Sequence, residues 1–94
     1  DLFNYEPRHD RIEMGVALVT EMRGKGLSVP VVQRCLAYLR EVLHIRSVYC
    51  VVSESNTASK QMLLKAGFVQ SGVLQDWCRV ADGYESAVVY QCLL

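Results

Sequence analysis

From Arg11 to Val19 polar and apolar positions alternate at first and then turn wholly apolar, which predicts a strand buried on both faces at its far end. Glu6-Pro7-Arg8-His9-Asp10 supplies turn chemistry ahead of it, so Leu2–Tyr5 and this strand read as a hairpin. Beyond a glycine-containing segment, Val29, Val32, Leu36, Leu39 and Leu43 recur in steps of three and four, with Gln33, Arg34, Arg40 and Glu41 on the opposite face. That spacing predicts an amphipathic helix over 27–43. Pro30 is compatible with it, because the N–H a proline lacks has no intrahelical partner in the first turn.

Ser47-Val48-Tyr49-Cys50-Val51-Val52 is rich in strand formers, and a strand, a helix and a strand joined by one short crossover imply parallel neighbours. Asn56 is placed to cap a helix over 57–66, Gly67 to take its left-handed C′ position, and Phe68 to pack back on Leu63. Gly72–Val80 and Glu85–Leu93 flank Asp82-Gly83, a hairpin signal. The order ββαβαββ belongs to the α/β class with a mixed sheet.

Ninety-four residues of 51% apolar composition suffice for a single domain over 1–94, burying about 60–65% of the surface an unfolded chain exposes. There is no internal repeat. The chain opens on Asp1 and enters a strand-like run at once, so a piece of a longer protein is expected. The stub at 2–5 covers an apolar strand poorly, and missing N-terminal strands or a second copy of the chain would complete that edge.

Charge narrows the function. Ten acidic and ten basic side chains cancel, which leaves no global field for nucleic acid or an anionic membrane, so any anion site must be local. No run approaches the length needed to span a bilayer and the first ten residues are not signal-like, so a cytoplasmic location is the default. Cys35, Cys50, Cys78 and Cys92 form no CxxC pair and sit among apolar neighbours, as buried free thiols do. His9 and His44 have no metal-ligand spacing with other donors, so no metal is expected.

The local anion site stands at Arg23-Gly24-Lys25-Gly26-Leu27-Ser28. It follows the apolar strand and runs into a helix N-terminus, where free N–H groups and the helix dipole favour an anion. Gly24 and Gly26 let the backbone approach phosphate oxygens, and Arg23 and Lys25 add charge. The third glycine of a dinucleotide fold and the Lys-Ser or Lys-Thr of a P-loop are absent. By itself the segment is a weak signal and reads sooner as a solvated basic turn.

Arg-x-x-Gly-x-Ser after a strand, followed by Asn56-Thr57-Ala58-Ser59 and Leu63-Leu64-Lys65-Ala66-Gly67-Phe68, closely resembles the two signature segments of the GNAT N-acetyltransferase superfamily, in particular its protein N-terminal and polyamine branch. The resemblance covers nearly the whole chain, including Glu13-Met14-Gly15 and the hairpin ending in Val89-Tyr90. It implies a GNAT-like fold lacking its N-terminal strands and helices, so that the chain is the C-terminal, acetyl-CoA-binding part of an N-acyltransferase. It also implies that Arg23, Gly24, Lys25, Gly26, Leu27 and Ser28 hold the pyrophosphate of acetyl-CoA through backbone N–H groups. Ser28 stands where the family usually has Gly or Ala. Val16, Ala17 and Leu18 would pair with the pantetheine arm as an added strand, and Asn56 would contact it. The strands are expected to splay between 14–19 and 48–52 to admit the arm.

Acetyl transfer to an amine needs a neutral nucleophile, stabilisation of an oxyanion and protonation of the leaving thiolate. Backbone N–H groups around Leu18 and Val19 are the expected oxyanion donors. Many relatives carry a tyrosine as acid at the position of Leu63, and leucine cannot donate a proton. Ser59 is the substitute, since some members use a serine there, against the plainer reading that it bonds the backbone near its helix start. Glu13 is the candidate base through water, against a surface ion pair with Arg11. Trp77, Tyr84 and Tyr90 are read as core or sheet-edge residues before acceptor-pocket residues. The function expected is acetyl transfer from acetyl-CoA to a primary amine of a small molecule or a protein N-terminus; the alternative is a noncatalytic CoA-binding or interaction module.

Overall fold

A computed structural model describes residues 2–15 and 28–94. The expectations placed on Val16, Ala17, Leu18, Val19, Arg23, Gly24, Lys25, Gly26 and Leu27 lie outside them.

Alternation does build strands here. β1 (Leu2–Glu6) pairs antiparallel with β2 (Arg11–Met14), and β2 pairs parallel with β3 (Ser47–Ser53) in the register Arg11↔Ser47 to Glu13↔Tyr49. β5 (Gly83–Leu93) lies antiparallel to β3, and β4 (Val69–Val80) antiparallel to β5. The five-stranded mixed sheet therefore runs β1-β2-β3-β5-β4. The last hairpin turns one residue earlier than its sequence signal: Val80 pairs with Gly83, so Ala81 and Asp82 form the turn, and Gly83 carries φ +140°.

The crossover from β2 to β3 contains α1 (Ser28–Glu41), which buries Val32, Leu36 and Leu39. The expected extension to Leu43 does not occur. His44 turns to φ 55°, the Ile45 N–H donates to the Leu39 carbonyl at 2.9 Å, and Ile45 takes the core place that the periodicity assigned to Leu43. Arg46 and Ser47 then donate their N–H groups to the Asp10 carbonyl, tying the start of β3 to the start of β2.

α2 (Thr57–Lys65) begins at the Asn56 cap, whose Oδ1 accepts the Ser59 N–H at 3.2 Å. Its end matches the sequence expectation closely. Gly67 sits at φ +105°, its N–H donates to the Leu64 carbonyl, and the Phe68 N–H donates to the Leu63 carbonyl at 2.9 Å, a Schellman closure that folds Phe68 onto the core.

Ile12 and Met14 of β2, Val48, Cys50 and Val52 of β3, and Val88 and Tyr90 of β5 are the buried alternate positions, and they form one cluster with the inward residues of α1 and α2. Both helices therefore cover the same face of the sheet. Each large aliphatic or aromatic side chain in it contributes about 1.5–3 kcal/mol of burial. The opposite face presents Glu13, Ser47, Tyr49, Val51, Ser53 and Gln91 half-buried, with no helix on it among the described residues.

Candidate functional site

Two helix N-termini meet the same end of the parallel pair. α1 closes near Ser47, beside the amino end of β2, and spans about 21 Å at 1.5 Å per residue; its N-terminus at Ser28 therefore reaches back to the carboxyl end of β2. α2 starts within a few residues of the carboxyl end of β3, where the Asn56 N–H donates to the Ser53 carbonyl. Neither helix has an acidic residue in its first turn, so the helix dipoles favour an anion there, although at α2 the Thr57 and Ser59 N–H groups are already bonded, to the Ser55 carbonyl and to Asn56 Oδ1. Crevices at the carboxyl ends of parallel strands are where open α/β sheets take ligands.

The recorded β2–β3 pairing stops at Glu13↔Tyr49. From Cys50 to Ser53, β3 has a strand neighbour among the described residues only in β5. The main-chain groups of that length that face away from β5 are thus without a described partner, next to both helix starts.

Ser59 lies on the inward side of α2 with Met62 and Leu63, and it is fully buried. Its hydroxyl has no hydrogen-bond partner among the described residues. The plainer expectation, a side-chain bond to nearby backbone, is therefore not what the described residues contain: the Ser59 backbone N–H, not its hydroxyl, joins the cap. Leu63 is also fully buried and packs in the core.

Glu13 is likewise not in an ion pair with Arg11 among the described residues. Its Oε1 accepts a hydrogen bond from Asn4 Nδ2 at 2.8 Å. Tyr49, directly across from it, has its phenol raised above the usual tyrosine range by partial burial, then by the negative charge of Glu13 and hydrogen bonding to it. Asn4 and Tyr49 were not singled out by sequence, because the contact joins three strands and depends on their register.

Tyr90 fills the core and Trp77 lies exposed on the free edge strand β4, in line with the core and edge expectation. Tyr84 is exposed at the hairpin end, where the Arg79 guanidinium stands 5.8 Å from its ring centroid. The four cysteines are free thiols; only Cys50 is buried, while Cys35, Cys78 and Cys92 are half-buried. Burial pushes the Cys50 thiol up to about 12. No helix among the described residues is long and apolar enough to cross a membrane.

Comparison with known proteins agrees with this architecture. The "Uncharacterized N-acetyltransferase YoaA" of Bacillus subtilis (strain 168) is 31% identical over 70 residues, which are 74% of this chain and 40% of that protein. A single-site variant of spermidine N-acetyltransferase SpeG from Vibrio cholerae superposes with a TM-score of 0.84 at 22% identity, covering 98% of this chain and 54% of that one. A chimera of the same enzyme with hSSAT superposes at 0.85, also at 22% identity, covering 98% and 55%. The chain thus spans about half the length of these relatives or less. Residues 1–69 match the family described as the acetyltransferase (GNAT) domain, and with the β-α-β core and five-stranded order found here, the chain belongs to the GNAT acetyltransferase family.

Proposed function

We propose that this chain is the acetyl-CoA-binding, C-terminal part of an N-acetyltransferase that moves an acetyl group to a primary amine of a small molecule or protein N-terminus, in the cytoplasm. The observation that carries the reading is the convergence of two helix N-termini, with no acidic residue in their first turns, at the carboxyl end of a parallel pair in which β3 from Cys50 to Ser53 has no partner on its β2 side among the described residues. In this reading Arg23, Gly24, Lys25, Gly26, Leu27 and Ser28 cradle the pyrophosphate with backbone N–H groups. Val16, Ala17 and Leu18 pair with the pantetheine arm. Asn56 caps α2 with Oδ1 and keeps Nδ2 to donate to the arm.

The chemistry then rests on few side chains. Glu13 takes a proton from the acceptor ammonium through water, and the neutral nitrogen attacks the thioester carbonyl. Backbone N–H groups at Leu18 and Val19 hold the oxyanion. As the carbon–sulfur bond breaks, Ser59 gives its hydroxyl proton to the departing sulfur, and the proton that the nitrogen sheds on becoming an amide returns to Ser59 through water. The unpartnered, buried hydroxyl of Ser59 supports this role. The acceptor named for the SpeG structures, spermidine, is a first candidate to try.

A second reading, a CoA-binding module without turnover, is favoured by one observation: Leu63, at the position where many relatives carry their tyrosine acid, is fully buried in the core. Calorimetry with acetyl-CoA tests what both readings share. Saturable binding lost in Gly26→Trp is expected; no heat and no thermal shift would remove both. Turnover of spermidine or N-terminal peptides, lost in Gly26→Trp, then selects the enzyme.

A further inference from the structure

We infer that Asn4 and Tyr49 are positioning residues for Glu13, and that the three together read the primary ammonium group of the acceptor on the face of the sheet opposite the two described helices. The inference rests on the proposed amine acetylation and extends it to residues that no motif of the chain marks.

Three adjacent strands supply one residue each. Glu13 stands opposite Phe3 on β1 and opposite Tyr49 on β3, so its side chain shares with Tyr49 the face opposite the two described helices. The β1–β2 register shifts between Phe3 and Glu6, and within that irregularity Asn4 adopts φ 52°. A bulge re-aims a side chain, and here the re-aimed amide reaches Glu13 Oε1 at 2.8 Å. A non-glycine residue in the left-handed region costs of order 1 kcal/mol. Asn tolerates it better than most residues, and the return for this chain is a donor on the carboxylate.

The chemistry fits an ammonium group. The Asn4 amide holds Oε1 and the Tyr49 phenol stands directly across on the same face, so the remaining lone pairs of Glu13 and the phenol oxygen are acceptors gathered at one place. A primary ammonium carries three N–H donors and no acceptor. Arg11 shares the face and is the one cation that faces the group from β2, yet it forms no ion pair with Glu13 among the described residues. Gln91, across from Tyr49 on β5, donates instead to Ser47 Oγ at 3.0 Å, so it does not compete for the carboxylate.

The test uses the full chain and a matched pair of probes, 1,8-diaminooctane and 1,8-octanediol, with the Glu13 side-chain carboxyl carbon followed by 13C NMR. The diamine should move that resonance saturably and the diol should not. Glu13→Gln should abolish diamine binding. Tyr49→Phe and Asn4→Gly, the latter chosen because glycine accepts φ 52°, should each weaken it by about tenfold to a hundredfold, the loss expected of one hydrogen bond to a charged group. All three variants should keep native melting curves and native acetyl-CoA affinity. Diamine affinity unchanged in Tyr49→Phe and Asn4→Gly, an equal response to the diol, or no response at millimolar diamine overturns the inference. Acetyl-CoA binding measured in parallel separates its failure from that of the acetyltransferase reading.

Discussion

Asn56 Oδ1 and the Ser59 N–H are 3.2 Å apart, so the residue expected to meet the pantetheine arm also holds in place the turn that carries the candidate acid. Asn56→Ala removes an N-cap and should lower stability by about 1 kcal/mol in urea titration, whereas Asn56→Asp should keep most of it. In the proposed function Asn56→Asp should still weaken acetyl-CoA binding, because the carboxylate cannot donate as Nδ2 does. Equal affinity in Asn56→Asp and the native chain would leave Asn56 a cap alone.

Ser59 separates stability from function. Its buried hydroxyl has no partner among the described residues, and such a group costs free energy to bury. Ser59→Ala should therefore leave the melting temperature unchanged or raise it, with a stability change within about 1 kcal/mol. Turnover should fall at the same time. A marked loss of stability would mean that the hydroxyl is bonded and structural.

Leu63→Tyr places the phenol that many relatives use at a site already packed on all sides. Overpacking of this kind costs about 1–3 kcal/mol. The expected result is a lower urea midpoint with no gain in acetyl transfer. An unharmed fold with faster turnover would show that the phenol reaches solvent or substrate from there.

Cys50 links stability to pH. Its thiol is raised from 9.0 to about 12 in the folded chain by burial and then by the charge of Glu13. The unfolded chain ionises first, so it holds fewer protons than the folded chain between those values, and stability falls as pH rises through that window. The slope per such thiol approaches about 1.4 kcal/mol per pH unit. Native chain should lose stability between pH 9 and 12 faster than Cys50→Ala. Iodoacetamide should leave Cys50 unmodified until the chain unfolds.

Much of the fold was legible because its signals are local. The Asn56 cap, the Gly67 and Phe68 closure and the α1 face of Val32, Leu36 and Leu39 each depend on residues a few positions apart, and each occurs as expected. The two boundary errors came from competition between local rules. Leu43 continues the helical period, but the left-handed His44 ends the helix early and delivers Ile45 to the core. Asp82-Gly83 signals a turn, but pairing of Gly83 with Val80 moves it to Ala81-Asp82. The Glu13 surroundings were illegible for a different reason: Asn4 and Tyr49 are nine residues before and thirty-six after it in the chain, and only strand register brings them together.

The interior place of β5 has a kinetic consequence. β3 pairs with a strand about forty residues further along, whereas β4 and β5 are joined by a two-residue turn. Closing the long loop costs more chain entropy than closing the turn. The β4–β5 hairpin is therefore expected to assemble before it docks, leaving the β3 flank bare in the interval, and pulsed hydrogen exchange during refolding should protect amides between β4 and β5 before those between β3 and β5. A chain stalled at that point would expose the row of main-chain groups from Ser47 to Ser53 as a template for another molecule, so refolding yield should drop with protein concentration even though the finished sheet hides that row.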